Sequence, residues 1–311
     1  MNWKRVLEEK YKLIFDKEVK KFIELSYSFE TDSNDMSIEK IRENYNKTAA
    51  FFYAGRPFGI TTKDHSIKFE NNELRYREYK PKESNLCDII YLHGGGFLVG
   101  DLESHDDICS EICNFTGCRV FSLDYSLAPE EKYPQFYSDS IRFFYFIKNS
   151  DRPIVLVGDS AGANLAGFIT QKSKNTPMTP KAQILIYPSL GGSSKKNSYL
   201  EHADAPMLTI EDIEFYRQQA GIPLSGALGD LIETRNKDNI PNTLLVKAEI
   251  DPLASDCDEY YNQLVKAGCS VRLIEGKGLP HGFLRARHCT KKGKEVFKNI
   301  LEYIRFETQN L

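Results

Sequence analysis

Residues 154–166 read IVLVGDSAGANLA. Ile154, Val155, Leu156 and Val157 are a run of β-formers, and Ala161, Ala163, Leu165 and Ala166 open a helical pattern. Ser160 falls on the turn between them. Gly158 and Gly162 stand two residues to either side, small enough for strand and helix to approach one another. This is the G-x-S-x-G nucleophile elbow, which presents a hydroxyl for attack on a carbonyl carbon. A serine hydroxyl is a poor nucleophile at neutral pH and needs a base in contact. His281, in LPHGF, fits that role, because an imidazole takes and returns a proton near neutrality. Asp251, in EIDPL, would fix the imidazole tautomer and stabilise the imidazolium. Glu249 and Asp256 compete for this place, but Glu249 is still on a strand pattern and Asp256 is already inside the next helix. The attacked carbonyl becomes an oxyanion. The backbone N–H groups of Gly94 and Gly95 in HGGGF, with that of Ala161 after the serine, are the expected donors.

Strands and helices must bring these pieces together. From Cys87 onward they alternate. The strand patterns are CDIIYLH, CRVFSLDY, PIVLVG, AQILIYP, NTLLVKAEI and SVRLIEG. Helical patterns lie between most of them, and GKEVFKNILEYIRFE closes the chain. Such alternation predicts an α/β fold with a mostly parallel sheet and helices on both faces. Sites in open parallel sheets form at the carboxyl ends of strands, and the triple glycine, Ser160, Asp251 and His281 each follow one. Ahead of this region, SIKFENNELRYREYK reads as a β-hairpin turning at Asn71-Asn72. The first fifty or so residues are helical in pattern. Trp3, Val6, Leu7, Ile14, Val19, Phe22 and Ile23 form an apolar stripe expected to pack on the rest of the protein. Between Pro188 and Asn242 the alternation breaks for a polar stretch, GGSSKKNS, and an amphipathic helix, TIEDIEFYRQQ, with Thr209 and Asp212 as a capping pair. The expected division is N-terminal cap helices at 1–55, core at 56–189, a cap insert at 190–238 and core again at 239–311. Phe97, Tyr187 and Phe215, with Tyr216, are expected to shape the substrate pocket under that cap.

The remaining features set bounds. A chain of 311 residues with 41% hydrophobic and 27% charged residues fits a globular protein with a substantial core. A net charge of −3 gives no electrostatic reason to bind nucleic acid, and Lys291, Lys292 and Lys294 read as a solvated helix face. No stretch approaches the ~20 apolar residues that span a bilayer, so no membrane partner is expected. The charged N-terminus lacks a secretory apolar region, and seven scattered cysteines fit a reducing compartment, so the cytoplasm is the expectation. His105, Cys109 and Cys113 recur every four residues, but this is not a zinc-finger spacing, and packing is the expected role. The triple glycine lacks both the G-x-G-x-x-G frame and the lysine of a phosphate cradle. His93 reads as a hydrogen-bonder that shapes the glycine loop, His105 belongs near the pocket mouth, and His65, His202 and His288 have no motif around them.

The motifs HGGGF (93–97), DYSLAPE (124–130), GDSAGANLA (158–166), IYP (186–188), DPL (251–253) and HGF (281–283) together resemble the hormone-sensitive-lipase-like family of α/β-hydrolases, the bacterial carboxylesterases and acetyl esterases. The order Ser160, Asp251, His281 is that of the α/β-hydrolase triad. The insert SYLEHADAPMLTIEDIEFY also looks like the family's cap segment. The resemblance implies a Ser160–His281–Asp251 triad, an oxyanion hole at Gly94, Gly95 and Ala161, and short-chain, acetyl-type esters as small-molecule substrates. It implies no cofactor and no metal. The chain departs from the family at Ser126, where YRLAPE has arginine, at Ala163, where a glycine is usual, and in ASDCDEY after DPL. Ser126 is expected to alter the packing around Asp124 and Glu130. Two other readings share the fold: an amide hydrolase such as an arylformamidase, and an inactive small-molecule receptor like the plant gibberellin receptors. Those receptors have lost the triad histidine, and His281 in its HGF setting speaks against that reading. The oligomeric state is left open, a homo-oligomer included.

Overall fold

The computed structural model describes residues 3–29, 37–69, 72–148, 150–192 and 197–309. In chain order the elements are α1 (Trp3–Glu9), α2 (Lys17–Tyr27), α3 (Ile38–Phe51), β1 (Thr61–Phe69), β2 (Asn72–Lys80), β3 (Asp88–Leu92), α4 (Asp106–Thr116), β4 (Arg119–Asp124), α5 (Gln135–Lys148), β5 (Ile154–Asp159), α6 (Ala161–Ser173) and β6 (Ala182–Ile186). They continue with α7 (Ser198–Glu201), α8 (Ile210–Ala220), β7 (Asn242–Ile250), α9 (Ala254–Lys266), β8 (Val271–Pro280), a 3₁₀ helix (Phe283–His288) and α10 (Lys291–Gln309). The strands form one sheet of eight in the order β1-β2-β4-β3-β5-β6-β7-β8. β1 and β2 are an antiparallel hairpin, and β2 pairs antiparallel with β4. Every other neighbouring pair is parallel.

The apolar runs of β3, β5 and β6 are buried on both faces, as the interior of a parallel sheet requires. Along β3, Ile89 and Tyr91 join a core with α2, α4 and α10, while Ile90 and Leu92 join a second core with α5 and α6. The same two-residue alternation places Val155 and Val157 of β5 in the first core and Ile154 and Leu156 in the second. The N-terminal stripe packs inward through Leu7, Val19, Phe22 and Ile23, which are buried in the first core, whereas Ile14 is exposed. Among the described residues no helix is long and apolar enough to cross a membrane.

Two elements differ from expectation. The last strand was expected to stop at Gly276, but β8 runs on to Pro280 and bulges against β7 between Ala248 and Ile250. The added length delivers His281 directly from the strand end. The last helix starts at Lys291, where the Lys291 N–H donates to Glu18 and Lys292 pairs with Asp16 at 3.2 Å, so part of the basic cluster docks α2. Asn71 of the expected hairpin turn, and residues 193–196 of the polar insert, lie outside the described residues.

The connection from β3 through α4 leads to β4 on one side, and the connection from β4 through α5 leads back to β5 on the other. The chain thus reverses direction across the sheet between β3 and β5, the switch point at which open α/β sheets leave a crevice.

Candidate active site

β3 and β5 are paired neighbours with Leu92 level with Gly158. The glycine loop after one and the serine turn after the other therefore emerge side by side. Ser160 sits at φ 54°, ψ −118°, a conformation that costs a non-glycine residue roughly 1–3 kcal/mol and persists only where the surroundings enforce it. Here the Ser160 N–H donates to the Ile186 carbonyl at 2.9 Å. The flanking glycines are required by close approach. A Cβ on Gly162 would lie 2.0 Å from the Leu92 carbonyl oxygen, and one on Gly158 would lie 2.4 Å from that of Gly162. The start of α6 packs backbone to backbone on the end of β3, which aims its N-terminal N–H groups at the crevice.

His281 arrives from β8 and Asp251 from the end of β7. His281 Nδ1–H donates to Asp251 Oδ2 at 2.6 Å, and the Ser160 hydroxyl donates to His281 Nε2 at 2.9 Å. Asp251 is buried, and its other oxygen accepts from the Leu253 N–H at 2.9 Å. The His281 ring rests against Tyr187, with centroids 4.7 Å apart. Both rival carboxylates are engaged elsewhere. Glu249 accepts from the Gly278 N–H at 2.5 Å. Asp256 accepts from the Leu190 and Gly192 N–H groups and the Tyr199 hydroxyl, and burial pushes its pKa up to about 7.

The glycine loop corrects one expectation. The Gly94 N–H donates to Asp159 Oδ1 at 3.0 Å, so it is not available to an oxyanion. The N–H groups of Gly95 and Gly96 have no acceptor among the described residues, and both glycines line the cavity beside Ala161. Ala161 opens α6, so its N–H has no partner within the helix. The N–H groups left without an acceptor beside the serine, among the described residues, are therefore those of Gly95, Gly96 and Ala161. Asp159 also accepts from the Tyr91 hydroxyl at 2.8 Å and faces His105 Nε2 at 3.4 Å. Burial alone would raise its pKa, but His105, the Tyr91 hydroxyl and Arg285 outweigh burial and hold it at about 2. His93 shapes the loop from within. Its Nδ1–H donates to the Gly94 carbonyl at 2.8 Å, and its ring stacks on Tyr125 at 4.2 Å. Burial, aided by the neighbouring His105, pushes its pKa down to about 4.

Above the catalytic-type relay lies a cavity of about 1160 Å³, lined in part by Phe97, Tyr187, Phe215 and Tyr216. Phe97 is stacked on Phe136 at 4.3 Å, and Phe215 and Tyr216 hang from α8. The α8 helix begins with the expected capping box, Thr209 with Asp212. The Tyr216 ring fills the space a side chain at 96 would need, 2.6 Å from an added Cβ. On the other side, Arg42 of α3 donates to the Leu98 carbonyl (2.9 Å), the Ala128 carbonyl (2.8 Å) and the Glu130 carboxylate (2.7 Å). Glu130 of the DYSLAPE stretch thus takes its arginine from α3. The Ser126 N–H donates to Asp139 at 3.0 Å, and burial pushes the Asp124 carboxyl up to about 6.

His105 reaches the cavity wall, whereas Cys109 and Cys113 are buried in the first core. Among the described residues no group of three or more His, Cys, Asp or Glu side chains is arranged to hold a metal ion. Residues that sequence reasoning missed are Gly96, Asp159, Tyr45, Asn44 and Arg285, all of which line the cavity. Asp159 and Gly96 lay inside the quoted motifs. The other three needed α3 and the 3₁₀ helix to be placed.

A family model described as alpha/beta hydrolase fold matches residues 89–285. The chain is similar to esterase LipI of Mycobacterium tuberculosis, 32% identical over 71% of this chain and 75% of that protein. It is similar to the acetyl esterase of Salmonella typhi, 30% identical over 71% of this chain and 72% of that one. It also matches the ethyl acetate hydrolase of Pseudomonas putida, 27% identical over 78% and 80%. Among solved structures, the hyperthermophilic esterase of Pyrobaculum calidifontis superposes with a TM-score of 0.86 at 26% identity, covering 94% of this chain and 99% of that one. Taken with the sheet order and the matched span, these likenesses establish that the chain belongs to the alpha/beta hydrolase fold family, as a carboxylic ester hydrolase of its hormone-sensitive-lipase-like branch.

Proposed function

We propose that this enzyme hydrolyses short-chain esters, acetyl esters foremost, through a Ser160–His281–Asp251 triad and an acyl-enzyme intermediate. The observation that carries the reading is the unbroken relay from the Ser160 hydroxyl through His281 to Asp251, at 2.9 and 2.6 Å. His281 takes the hydroxyl proton as Oγ bonds to the ester carbonyl carbon, and Asp251 stabilises the imidazolium. The Gly95, Gly96 and Ala161 N–H groups receive the developing oxyanion. Collapse of the tetrahedral intermediate breaks the ester bond, and His281 returns the proton to the leaving alcohol. Water, deprotonated by His281, then attacks the acyl-enzyme and releases the acid. The acetyl preference is supported by the likeness to the acetyl esterase of Salmonella typhi and the ethyl acetate hydrolase of Pseudomonas putida. In this reading the helices of residues 1–55 and the insert 190–238 form a two-piece cap over the core segments 56–189 and 239–311, and the enzyme works in the cytoplasm.

The test is a series of p-nitrophenyl esters from acetate to decanoate with wild type, Ser160→Ala and Asp251→Asn. Acetate should be turned over best. Ser160→Ala should abolish turnover, and Asp251→Asn should lower kcat about 10⁴-fold with the fold intact. Near-normal p-nitrophenyl acetate hydrolysis by folded Ser160→Ala would overturn the triad. An optimum at decanoate would overturn the short-chain assignment.

A further inference from the structure

Arg285 lines the cavity but takes no part in the relay. Arg285 stands four residues after His281, on the 3₁₀ helix that follows the strand end. It lines the same cavity as Ser160 and His281. Its Nη1–H donates to the Ser104 carbonyl at 3.1 Å, and the guanidinium lies over the Tyr45 ring, 4.7 Å from the centroid. Its Nη2 is buried and has no hydrogen-bond partner among the described residues. No carboxylate among the described residues lies within the 4.0 Å of an ion pair with it.

Arg287, two residues on, shows how this chain treats a buried arginine whose role is structural. It is paired with both Asp107 and Glu111. Arg285 has no carboxylate at ion-pair distance among the described residues; besides the Ser104 carbonyl it donates to the Tyr45 hydroxyl, a neutral acceptor. The anion whose field reaches it is Asp159, and that carboxylate already serves the Tyr91 hydroxyl, the Gly94 N–H and His105. A guanidinium cannot shed its charge, and burying it without a counter-ion is costly unless one arrives with a ligand. Asn44, next to Tyr45 on α3, also lines the cavity, and its Oδ1 is buried without a partner. An amide oxygen accepts and does not bind an anion, so a negative group at this wall would be met by Arg285, while carboxylates such as Asp204, Glu211 and Glu214 stand elsewhere on the lining.

We infer that Arg285 is a specificity residue that receives a carboxylate carried by the substrate, so that the preferred esters bear a second, ionised acid group. The inference rests on the reading of this site as an esterase and narrows it to anionic esters. The carboxylate would reach Arg285 from the acyl part or from the alcohol part of the ester, and the two arms of the test separate these sources.

In the acyl arm, p-nitrophenyl hydrogen glutarate is compared with the neutral p-nitrophenyl valerate. In the alcohol arm, acetoxyacetate is compared with propyl acetate by pH-stat titration. The quantity read is the ratio of kcat/KM for the anionic ester to that for its neutral mate. In wild type it should exceed about tenfold in one arm, the value expected of one charge-assisted contact. Arg285→Leu should lower that ratio at least about tenfold, and Arg285→Lys should keep part of it. A wild-type ratio of one or below in both arms overturns the inference, and this needs no variant to fold. So does a ratio unchanged in Arg285→Leu. Flat ratios alongside normal p-nitrophenyl acetate turnover remove only the role of Arg285, whereas persistent turnover in Ser160→Ala removes the esterase site on which it rests.

Discussion

Asp159 offers the sharpest test of how the glycine loop is held. Its Oδ1 accepts from both the Tyr91 hydroxyl and the Gly94 N–H, at 2.8 and 3.0 Å, and all three groups are buried. Asp159→Ala leaves those two donors without an acceptor. At about 1–3 kcal/mol for each buried donor left unpaired, the loss is about 2–6 kcal/mol, a large part of the ~5–15 kcal/mol that holds a typical domain folded. Asp159→Asn keeps an oxygen in place and gives up the charge, so it should cost about 1–2 kcal/mol. Activity should separate the two variants further. With Gly94 untethered, Gly95 and Gly96 lose their aim, and kcat should fall about 10²-fold in Asp159→Ala and much less in Asp159→Asn. The acid limb gives an independent reading. The folded pKa, about 2, lies below the ordinary 3.8. The stabilisation is therefore complete above about pH 4 and is lost as the pH falls towards 2, a limb that Asp159→Asn should lack. Urea unfolding followed by circular dichroism, with p-nitrophenyl acetate kinetics beside it, measures all of this. If Asp159→Ala unfolds within about 0.5 kcal/mol of wild type and keeps its kcat, the tether has no such role.

Two further outcomes are expected. Gly162→Ala would push a Cβ to 2.0 Å from the Leu92 carbonyl and 2.4 Å from that of His93; since backbone cannot yield as a side chain can, it should cost about 3 kcal/mol or more in urea unfolding, and a cost below about 1 kcal/mol would mean that α6 does not pack against β3 in this way. His93 is buried with its pKa depressed from 6.5 to about 4, so the unfolded chain binds the proton first, and stability should decline as the pH falls from about 6.5 to about 4; an equal decline in His93→Gln would assign that slope to other groups.

Much of the site was legible because its signals are local. The elbow announces itself within a few residues, since strand, tight turn and helix each demand particular types around Ser160. Asp251 could be separated from Glu249 and Asp256 because strand, loop and helix positions aim side chains differently. The glycine loop was misread by one residue for a reason that lies outside it. Which of its N–H groups is free depends on Asp159, a side chain on the neighbouring strand, and the Asp159–Gly94 bond spans 65 residues. Arg285, Tyr45 and Asn44 were invisible for the same reason. Each is unremarkable in its own segment and gains meaning only when α3 is laid across the 3₁₀ helix. The length of β8 was also not readable, because a bulge against β7 extends the pairing past the glycines at 276 and 278.

The grip of Arg42 on Leu98, Ala128 and Glu130 has a practical bearing on how the polypeptide is handled. Trimming the first fifty residues to bare the crevice for bulkier molecules would also remove Arg42 and loosen the turn that carries the Gly95 and Gly96 N–H groups. Access would be won and aim lost together. A broader entrance is better sought by paring Phe215 on the facing helix, where the anchoring of that turn is left alone.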